Sequence, residues 1–356
     1  MWRFADLLGL TPPRTGFLGE GDTPLLAATG STLGGPAGAS VSFKAEYQNP
    51  TGSFKDRIAA MAGAIIARDG LRGAVGTSSG NGGAAIAAYG ARGDFPVALF
   101  TVSGILEGKL QQILAHGTLT HIVTQLGSGT SDAGGIATAI AAMANEQGWL
   151  AFLTGARYAP EAMRGAETIA FELATQRPAA TAVYVPVGGG GLVASIWRGY
   201  RRMGLIPPRI VGVQPAGCPT LSRGVQGDLG VLSEPITTTV SGLQVPILFD
   251  FDAVPAVTES GGHVVEVSDE QIWGAQRLLS REEGLFVEPA GAAATAGLLA
   301  DIVADEVAFG DDVVVVLSGA GHKDPTSANR LSGGNQARRI EAAQVSAILA
   351  GMTGPQ

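Results

Sequence analysis

The stretch Asn49-Pro50-Thr51-Gly52-Ser53-Phe54-Lys55-Asp56-Arg57 decides the fold and the chemistry of this chain. Pro50 and Gly52 break the preceding strand-like run, and Ser53 and Asp56 have the Ser-x-x-acid spacing of a capping box, which predicts that a helix begins here. Lys55 then lies in the first helical turn, where the helix dipole disfavours an ammonium. Such an amine is suited to losing its proton and condensing with an aldehyde. Taken alone, however, the stretch fits a solvated lysine on a capped helix better.

Composition bounds the possible functions. The 356 residues are 46% hydrophobic and only 15% charged, with 53 glycines, which suits a large α/β protein with a full core. A net charge of −8 without a basic tract argues against a nucleic-acid partner. Cys218 is the only cysteine, which excludes an intramolecular disulfide and leads us to expect a cytoplasmic location. The spacings of His and Cys predict no metal site, and we expect neither a signal peptide nor a membrane partner.

Strand-like and helix-like runs alternate along the chain. This alternation predicts the α/β class, with mostly parallel twisted sheets covered by helices on both faces and sites at the carboxyl ends of strands. Residues 217–261 are predicted to form irregular loops, and residues 338–349 an amphipathic helix. The predicted strands are 41–47, 97–102, 121–123, 149–154, 182–187, 210–213, 264–267 and 313–317, and the predicted helices include 84–91, 109–116, 132–147, 160–175, 191–203, 269–282 and 290–303.

Two further turns resemble anion-binding sites. Thr77-Ser78-Ser79-Gly80-Asn81-Gly82-Gly83 offers hydroxyls and backbone N–H groups at a helix N-terminus, which would bind a carboxylate, although an ordinary N-cap turn accounts for it equally well. Gly188-Gly189-Gly190-Gly191 lies between a strand and a helix and would bind a phosphate monoester. No Asp or Glu occurs between Gly191 and Asp228, which argues against a nicotinamide dinucleotide, and a Walker lysine is also absent.

Together these motifs resemble the pyridoxal-phosphate-dependent enzymes of the tryptophan synthase β-like fold (fold type II), and threonine synthases most closely. The resemblance also includes Gly21–Leu25, Val287-Glu288-Pro289-Ala290-Gly291 and Leu317–Pro325. It implies a homodimer whose chain has two three-layer domains. The smaller would comprise residues 40–155 and the larger residues 1–39 plus 156–330, with a C-terminal tail over 331–356.

The resemblance implies a role for each matching residue. Lys55 would hold pyridoxal 5'-phosphate as a Schiff base and act as the catalytic base. The other cofactor-binding residues would be Phe54 beside the lysine, Asn81 at the phenolic oxygen, Gly188, Gly189, Gly190 and Gly191 at the phosphate, and Ser318 at the pyridine nitrogen. The carboxylate of a small-molecule amino-acid substrate would bind at Ser78, Ser79, Gly80 and Gly82.

The substrate itself is left open by the sequence. Threonine synthases carry an arginine and a lysine for the substrate phosphate at the positions of Ala162 and Glu167, which are not basic here. Arg157, Arg164 or Lys109 could replace them, and the first two are our candidate substrate ligands. Elimination or replacement of the threonine synthase type leads narrowly over a threonine or serine dehydratase and over β-replacement on an O-activated serine. The missing acidic residue after Gly191 argues against a nucleotide-binding oxidoreductase. The presence of Lys55, Asn81 and Ser318 argues against a catalytically inactive binding module.

Overall fold

A computed structural model describes residues 1–13, 16–35, 38–78, 80–124, 126, 132–232, 234–333 and 337–352. Its strands are β1 Leu25–Ala27, β2 Ser40–Lys44, β3 Ala74–Ser78, β4 Val97–Val102, β5 Leu119–Val123, β6 Leu150–Phe152, β7 Ala182–Pro186, β8 Arg209–Pro215, β9 Val264–Val267 and β10 Asp312–Val316. Its helices are α1 Ala5–Leu8, α2 Lys55–Asp69, α3 Asn81–Gly93, α4 Glu107–Ala115, α5 Asp132–Gln147, α6 Pro160–Gln176, α7 Gly191–Arg202, α8 Thr220–Val225, α9 Ala253–Thr258, α10 Asp269–Glu282, α11 Pro289–Val303, α12 Pro325–Ser332 and α13 Val345–Met352.

Two sheets organise these elements. The smaller has the order β5-β4-β3-β6 and is parallel throughout. The larger has the order β1-β2-β10-β7-β8-β9, in which only the β1–β2 pair is antiparallel. The predicted α/β class with mostly parallel sheets is therefore confirmed.

Helices cover both faces of each sheet. The larger sheet packs α10 and α11 on one face and α6, α7 and α9 on the other. Helices α2 and α3 cover one face of the smaller sheet, and α5 covers the other. The central strands β7 and β10 of the larger sheet are buried on both faces, which explains their continuous apolar runs.

Strand pairing corrects one boundary that the sequence suggested. Ser40–Lys44 pairs with β1 and β10 of the larger sheet, whereas the predicted smaller domain began at residue 40. Its alternating pattern identifies a strand but contains nothing that selects the partner strand. The division of the chain into two domains otherwise stays a prediction.

Three other local predictions are wrong. The 217–261 segment contains the short helices α8 and α9. Helix α3 begins at Asn81 rather than residue 84, and the glycines of its first turn, which are poor helix formers, explain why the sequence pattern predicted a later start. The C-terminal helix spans Val345–Met352, preceded by a 3-10 turn at Ala342–Gln344, instead of residues 338–349. No helix in the described ranges is long and apolar enough to cross a membrane.

Candidate active site

The carboxyl ends of strands from both sheets meet at one pocket. Asn81 follows β3, Gly188–Gly191 follows β7, and Ser318 follows β10, as expected for sites at the ends of parallel strands. Lys55 begins α2 and reaches the same place because Phe54 N–H donates to the Ser318 carbonyl at 3.1 Å. The pocket is lined by Phe54, Lys55, Ser78, Asn81, Gly82, Lys109, Thr154, Gly188–Gly191, Glu288 and Ser318, among others.

Lys55 is a half-buried side chain whose amine lies in this pocket. Its Nζ donates a hydrogen bond to Thr154 Oγ1 at 2.9 Å and lies 4.6 Å from the centroid of the Phe54 ring. Burial lowers the pKa of Lys55 to about 7, since a desolvated ammonium is unfavourable. The position of Lys55 in the first helical turn predicts a lowered pKa from the helix dipole, whereas burial is the cause in the structure. The sequence analysis did not identify Thr154 as a site residue, although a hydroxyl side chain just after a strand could have indicated one.

The capping box predicted at the start of α2 does not form. The N-cap residue is Phe54, without a side-chain cap. Asp56 instead accepts hydrogen bonds from the backbone N–H and the hydroxyl of Thr51, at 3.1 and 2.9 Å. Ser53 Oγ is buried without a partner. Burial raises the pKa of Asp56 to about 7, so this side chain is part of the interior rather than of a solvated helix start.

A buried ionic cluster fixes α2 to the larger sheet. The Arg57 guanidinium binds Glu46 and Glu172, each at 2.7 Å, and Glu172 also binds the Lys44 ammonium at 2.6 Å. All four side chains are fully buried, where removing one partner would strand a charge. The cluster joins β2, α2 and α6.

The four glycines form a cradle with little room for side chains. A Cβ at Gly188 would lie 2.8 Å from the Gly242 carbonyl oxygen, and one at Gly189 would lie 2.9 Å from the Phe249 ring. A Cβ at Gly190 would meet Ala253 Cβ at 2.9 Å, and one at Gly191 would meet the Met163 methyl at 2.8 Å.

The cradle also has the donors that an anion needs. The first hydrogen bond of α7 runs from Ala194 N–H to the Gly190 carbonyl, which leaves the N–H groups of residues 191–193 without helical acceptors. The N-terminal dipole of the helix adds to their attraction for an anion. The cradle therefore fits the phosphate of pyridoxal phosphate.

Of the predicted carboxylate loop, the structure describes all but Ser79. Ser78 Oγ accepts hydrogen bonds from the N–H groups of Gly80 and Gly83, at 3.0 and 2.7 Å, so this hydroxyl acts as a cap for α3. Gly82 lines the pocket, whereas Gly80 packs against the stem of Lys109. The carboxylate role of this loop stays a prediction that rests on Gly82 and the first N–H groups of α3.

Ser318 and Glu288 add two more polar groups to the pocket wall. Ser318 Oγ is nearly buried and lies 3.5 Å from the Ala290 carbonyl, as a neutral hydroxyl at the end of β10. Glu288, just before α11, binds both Asn81 and Lys109. The sequence motif around Glu288 was recognised, but its carboxylate was given no role. No metal-binding group of three or more His, Cys, Asp or Glu occurs in the part of the chain that the structure describes.

Neither predicted arginine lines the pocket. Arg164 points to the N-terminal segment, where its guanidinium donates to the Leu8 carbonyl at 3.3 Å. Arg157 is exposed, with its guanidinium 5.5 Å from the centroid of the Tyr158 ring. Tyr158 packs edge-on against Phe249 of the pocket wall, so Arg157 lies near the pocket and Arg164 does not.

The positions that would bind a substrate phosphate in threonine synthases have other roles here. Ala162 is buried. Glu167 pairs with Arg198 and Arg202 of α7, so its charge serves the contact between α6 and α7. Among described residues, the basic side chains that line the pocket are Lys55 and Lys109.

Comparison with known proteins identifies the class that this fold and site define. The model of the family described as "Pyridoxal-phosphate dependent enzyme" matches residues 17–319. The chain therefore belongs to that family, and the predicted cofactor and fold type II architecture are confirmed.

Within the family, the chain is a threonine synthase-like enzyme. Threonine synthase of Mycobacterium tuberculosis (strain ATCC 25618 / H37Rv) is 36% identical over 320 residues, which are 87% of this chain and 84% of the relative. Threonine synthase of Halalkalibacterium halodurans is 35% identical over 318 residues, 87% and 85% of the two chains. The fold is shared with threonine deaminase isoform 2 from Solanum lycopersicum, with a TM-score of 0.72, 23% identity and 87% coverage of both chains.

Proposed function

We propose that this chain catalyses pyridoxal-phosphate-dependent elimination or replacement at the β- or γ-carbon of an L-amino acid. One observation carries the proposal: a buried lysine amine with a pKa near 7 shares a pocket with a glycine cradle for phosphate. Pyridoxal phosphate, when bound, withdraws electrons from the substrate Cα and so acidifies its proton. The residues around it then have to bind, orient and move a proton.

Lys55 is the proposed base for the Cα proton. Its amine is neutral in a large fraction of molecules at neutral pH, which is what a general base needs. The Thr154 hydroxyl accepts its hydrogen bond and holds the nitrogen in place. Ser318 would present a neutral hydroxyl to the pyridine nitrogen, in place of a carboxylate that would stabilise its protonated form. It would therefore favour prompt loss of a leaving group over transamination.

The leading reaction is of the threonine synthase type, with O-phosphohomoserine as substrate and threonine and phosphate as products. The identity to threonine synthases supports it. A second candidate is a dehydratase of threonine or serine, or β-replacement on an O-activated serine. The roles of Ala162 and Glu167, and the position of Arg164, support this second candidate, because they leave few cations for a substrate phosphate.

A substrate panel separates the two reactions. O-phosphohomoserine, O-phosphoserine, threonine and serine are supplied singly, and threonine, phosphate, ammonia and keto acid are measured. Threonine and phosphate from O-phosphohomoserine are expected for the leading reaction. Ammonia and keto acid from threonine or serine, with O-phosphohomoserine inert, would establish the dehydratase instead. A holoenzyme that processes none of the four would refute both the leading reaction and the dehydratase.

Arg157 and Arg164 form a matched pair for locating a substrate phosphate. Because Arg157 lies beside the pocket wall, Arg157→Ala is expected to raise KM for a phosphorylated substrate by roughly tenfold, about 1.4 kcal/mol, with kcat little changed. Arg164→Ala is the control and should leave that KM within about twofold. An equal rise for an unphosphorylated substrate would show that Arg157 is structural.

We further propose that the enzyme acts in the cytoplasm as a homodimer. The single cysteine supports a reducing compartment. Val345, Ile348 and Leu349 of α13 are exposed on the single chain, which supports a second subunit as their cover. Light scattering of the purified protein measures the mass directly, and a monomer of 36.0 kDa would exclude the dimer.

A further inference from the structure

A buried ion pair joins the two sides of the pocket. Lys109 Nζ of α4 lies 3.0 Å from Glu288 Oε2, and each side chain is 1% exposed. Lys109 lies in α4, the helix that follows strand β4 of the smaller sheet. Glu288 is the N-cap residue of α11, which packs on the larger sheet. Both line the pocket with Lys55. A buried pair of this kind costs desolvation energy, and replacement by apolar groups is often neutral or stabilising, so stability alone is a weak reason for it.

The carboxylate of Glu288 also determines the orientation of Asn81. Its Oε1 accepts a hydrogen bond from Asn81 Nδ2, while Asn81 Oδ1 is buried without a partner. Glu288 N–H donates to the Gly319 carbonyl at 3.0 Å. A Cβ at Gly319 would lie 2.1 Å from Glu288 Oε1, so the backbone after Ser318 closes tightly around this contact. Glu288 therefore contacts both Asn81 and the backbone after Ser318, the two places that the resemblance puts beside the cofactor ring.

One neutral hydroxyl and several charged side chains surround the pair. Lys109 Nζ donates to Ser241 Oγ at 3.3 Å. Lys323 and His322, which follow β10, are close enough to Glu288 for its charge to act on their pKa values. Lys323 Nζ donates to Gln112 Oε1 at 2.9 Å and also lies within electrostatic range of Asp56. The nearest compensation for the Glu288 charge is thus the Lys109 ammonium.

We propose that Glu288 is a positioning residue, which orients the Asn81 amide toward the cofactor ring, and that Lys109 is its counter-charge. The proposal rests on the proposed function, because it requires the cofactor in this pocket. The pair places a carboxylate and an ammonium in the wall of the pocket that Lys55 also lines, and the two charges offset each other there. An unpaired charge at this wall would act on a proton held at the Lys55–cofactor linkage. Removing one partner exposes the other charge, and the two single removals therefore have opposite electrostatic effects.

The test uses holoenzyme and the pH midpoint of its visible absorption band. Glu288→Gln keeps an acceptor for Asn81 but leaves the Lys109 charge unpaired, so the midpoint is expected to fall by about one pH unit or more. Lys109→Met leaves the carboxylate unpaired, so the midpoint is expected to rise by a similar amount. The double variant should return near the wild-type value. Lys109→Gln replaces Lys109→Met if the latter does not fold.

Lys44→Met provides the matched control. Lys44 and Glu172 form another buried lysine–glutamate pair, at 2.6 Å, that does not line the pocket. This variant should lower the melting temperature and leave the midpoint within about 0.2 units. Midpoints that move in the same direction in both single variants, or do not move, would overturn the assignment of Lys109 as the counter-charge of Glu288. Absence of any visible band from the wild-type protein incubated with pyridoxal phosphate would instead refute the proposed function.

Discussion

Lys55→Ala is expected to lower turnover by at least about 10³-fold and to remove the visible band of the bound cofactor, without loss of the fold. The reason is that this amine is both the attachment point and the proposed base, and general base catalysis alone contributes roughly 10²–10⁴-fold. The side chain makes a hydrogen bond to Thr154 and contacts the Phe54 ring, so its removal disturbs little packing. Activity, absorbance and circular dichroism of the purified variant measure the three outcomes.

Borohydride reduction and peptide mass mapping of the wild-type protein locate the attachment point directly. The lysines of the chain are Lys44, Lys55, Lys109 and Lys323. Lys44 and Lys109 are engaged in ion pairs, and burial lowers the pKa of Lys323 only to about 8. The pyridoxyl adduct is therefore expected at Lys55. Lys323→Met is the control and should retain that adduct, whereas an adduct on any other lysine would refute the assignment.

The pH dependence of cofactor attachment follows from the same amine. Burial lowers the pKa of Lys55 to about 7, so the neutral, reactive form increases as the pH rises through that value. The rate at which apoenzyme recovers its visible band should accordingly increase between about pH 6 and pH 8. A rate that increases only near pH 10, where an ordinary lysine loses its proton, would show that the amine is solvated.

The sequence predicted the motif-bearing turns because glycines and hydroxyl residues clustered at a strand end are typical of anion-binding turns. Lys55, Asn81, the glycine cradle and Ser318 share one pocket as the resemblance implies. Their binding roles still await experiment. Strand Val264–Val267 was also predicted with the correct bounds, and its burial alternates along the chain as expected for a strand with one face in the core.

The sequence could not show which partners the polar side chains select. Ser53 and Asp56 have the spacing of a capping box, yet the interior position of Asp56 and the approach of Thr51 gave a different hydrogen bond. Glu288 and Lys109 are separated by 179 positions, and only the closure of the two sheets brings their charges together. Arg164 was assigned by proximity in sequence, but helical geometry turns it toward Leu8.

Gly190→Asp is the second change for which a large effect is expected. A side chain at Gly190 would begin against Ala253, the Asp250 carbonyl and Leu248, at 2.9, 2.9 and 3.3 Å, so the aspartate would both distort the cradle and add a negative charge beside a bound phosphate. Two like charges about 5 Å apart repel by about 3 kcal/mol at an effective dielectric constant of about 20, which corresponds to roughly two orders of magnitude in affinity. The dissociation constant of pyridoxal phosphate, measured by titration of the apoenzyme, should rise by that factor.

Two control variants separate charge from strain in this prediction. Gly190→Asn has nearly the same shape as the aspartate variant and no charge, and both residues tolerate the positive φ of +85° better than most. Gly204→Asp introduces the same side chain at φ +70° where nothing lies within 4 Å. Gly204→Asp should bind the cofactor like the wild type, and Gly190→Asn should lie between it and Gly190→Asp. Equal dissociation constants for Gly190→Asp and Gly190→Asn would mean that only steric fit matters. An unchanged affinity in Gly190→Asp would mean that the loop does not hold the phosphate.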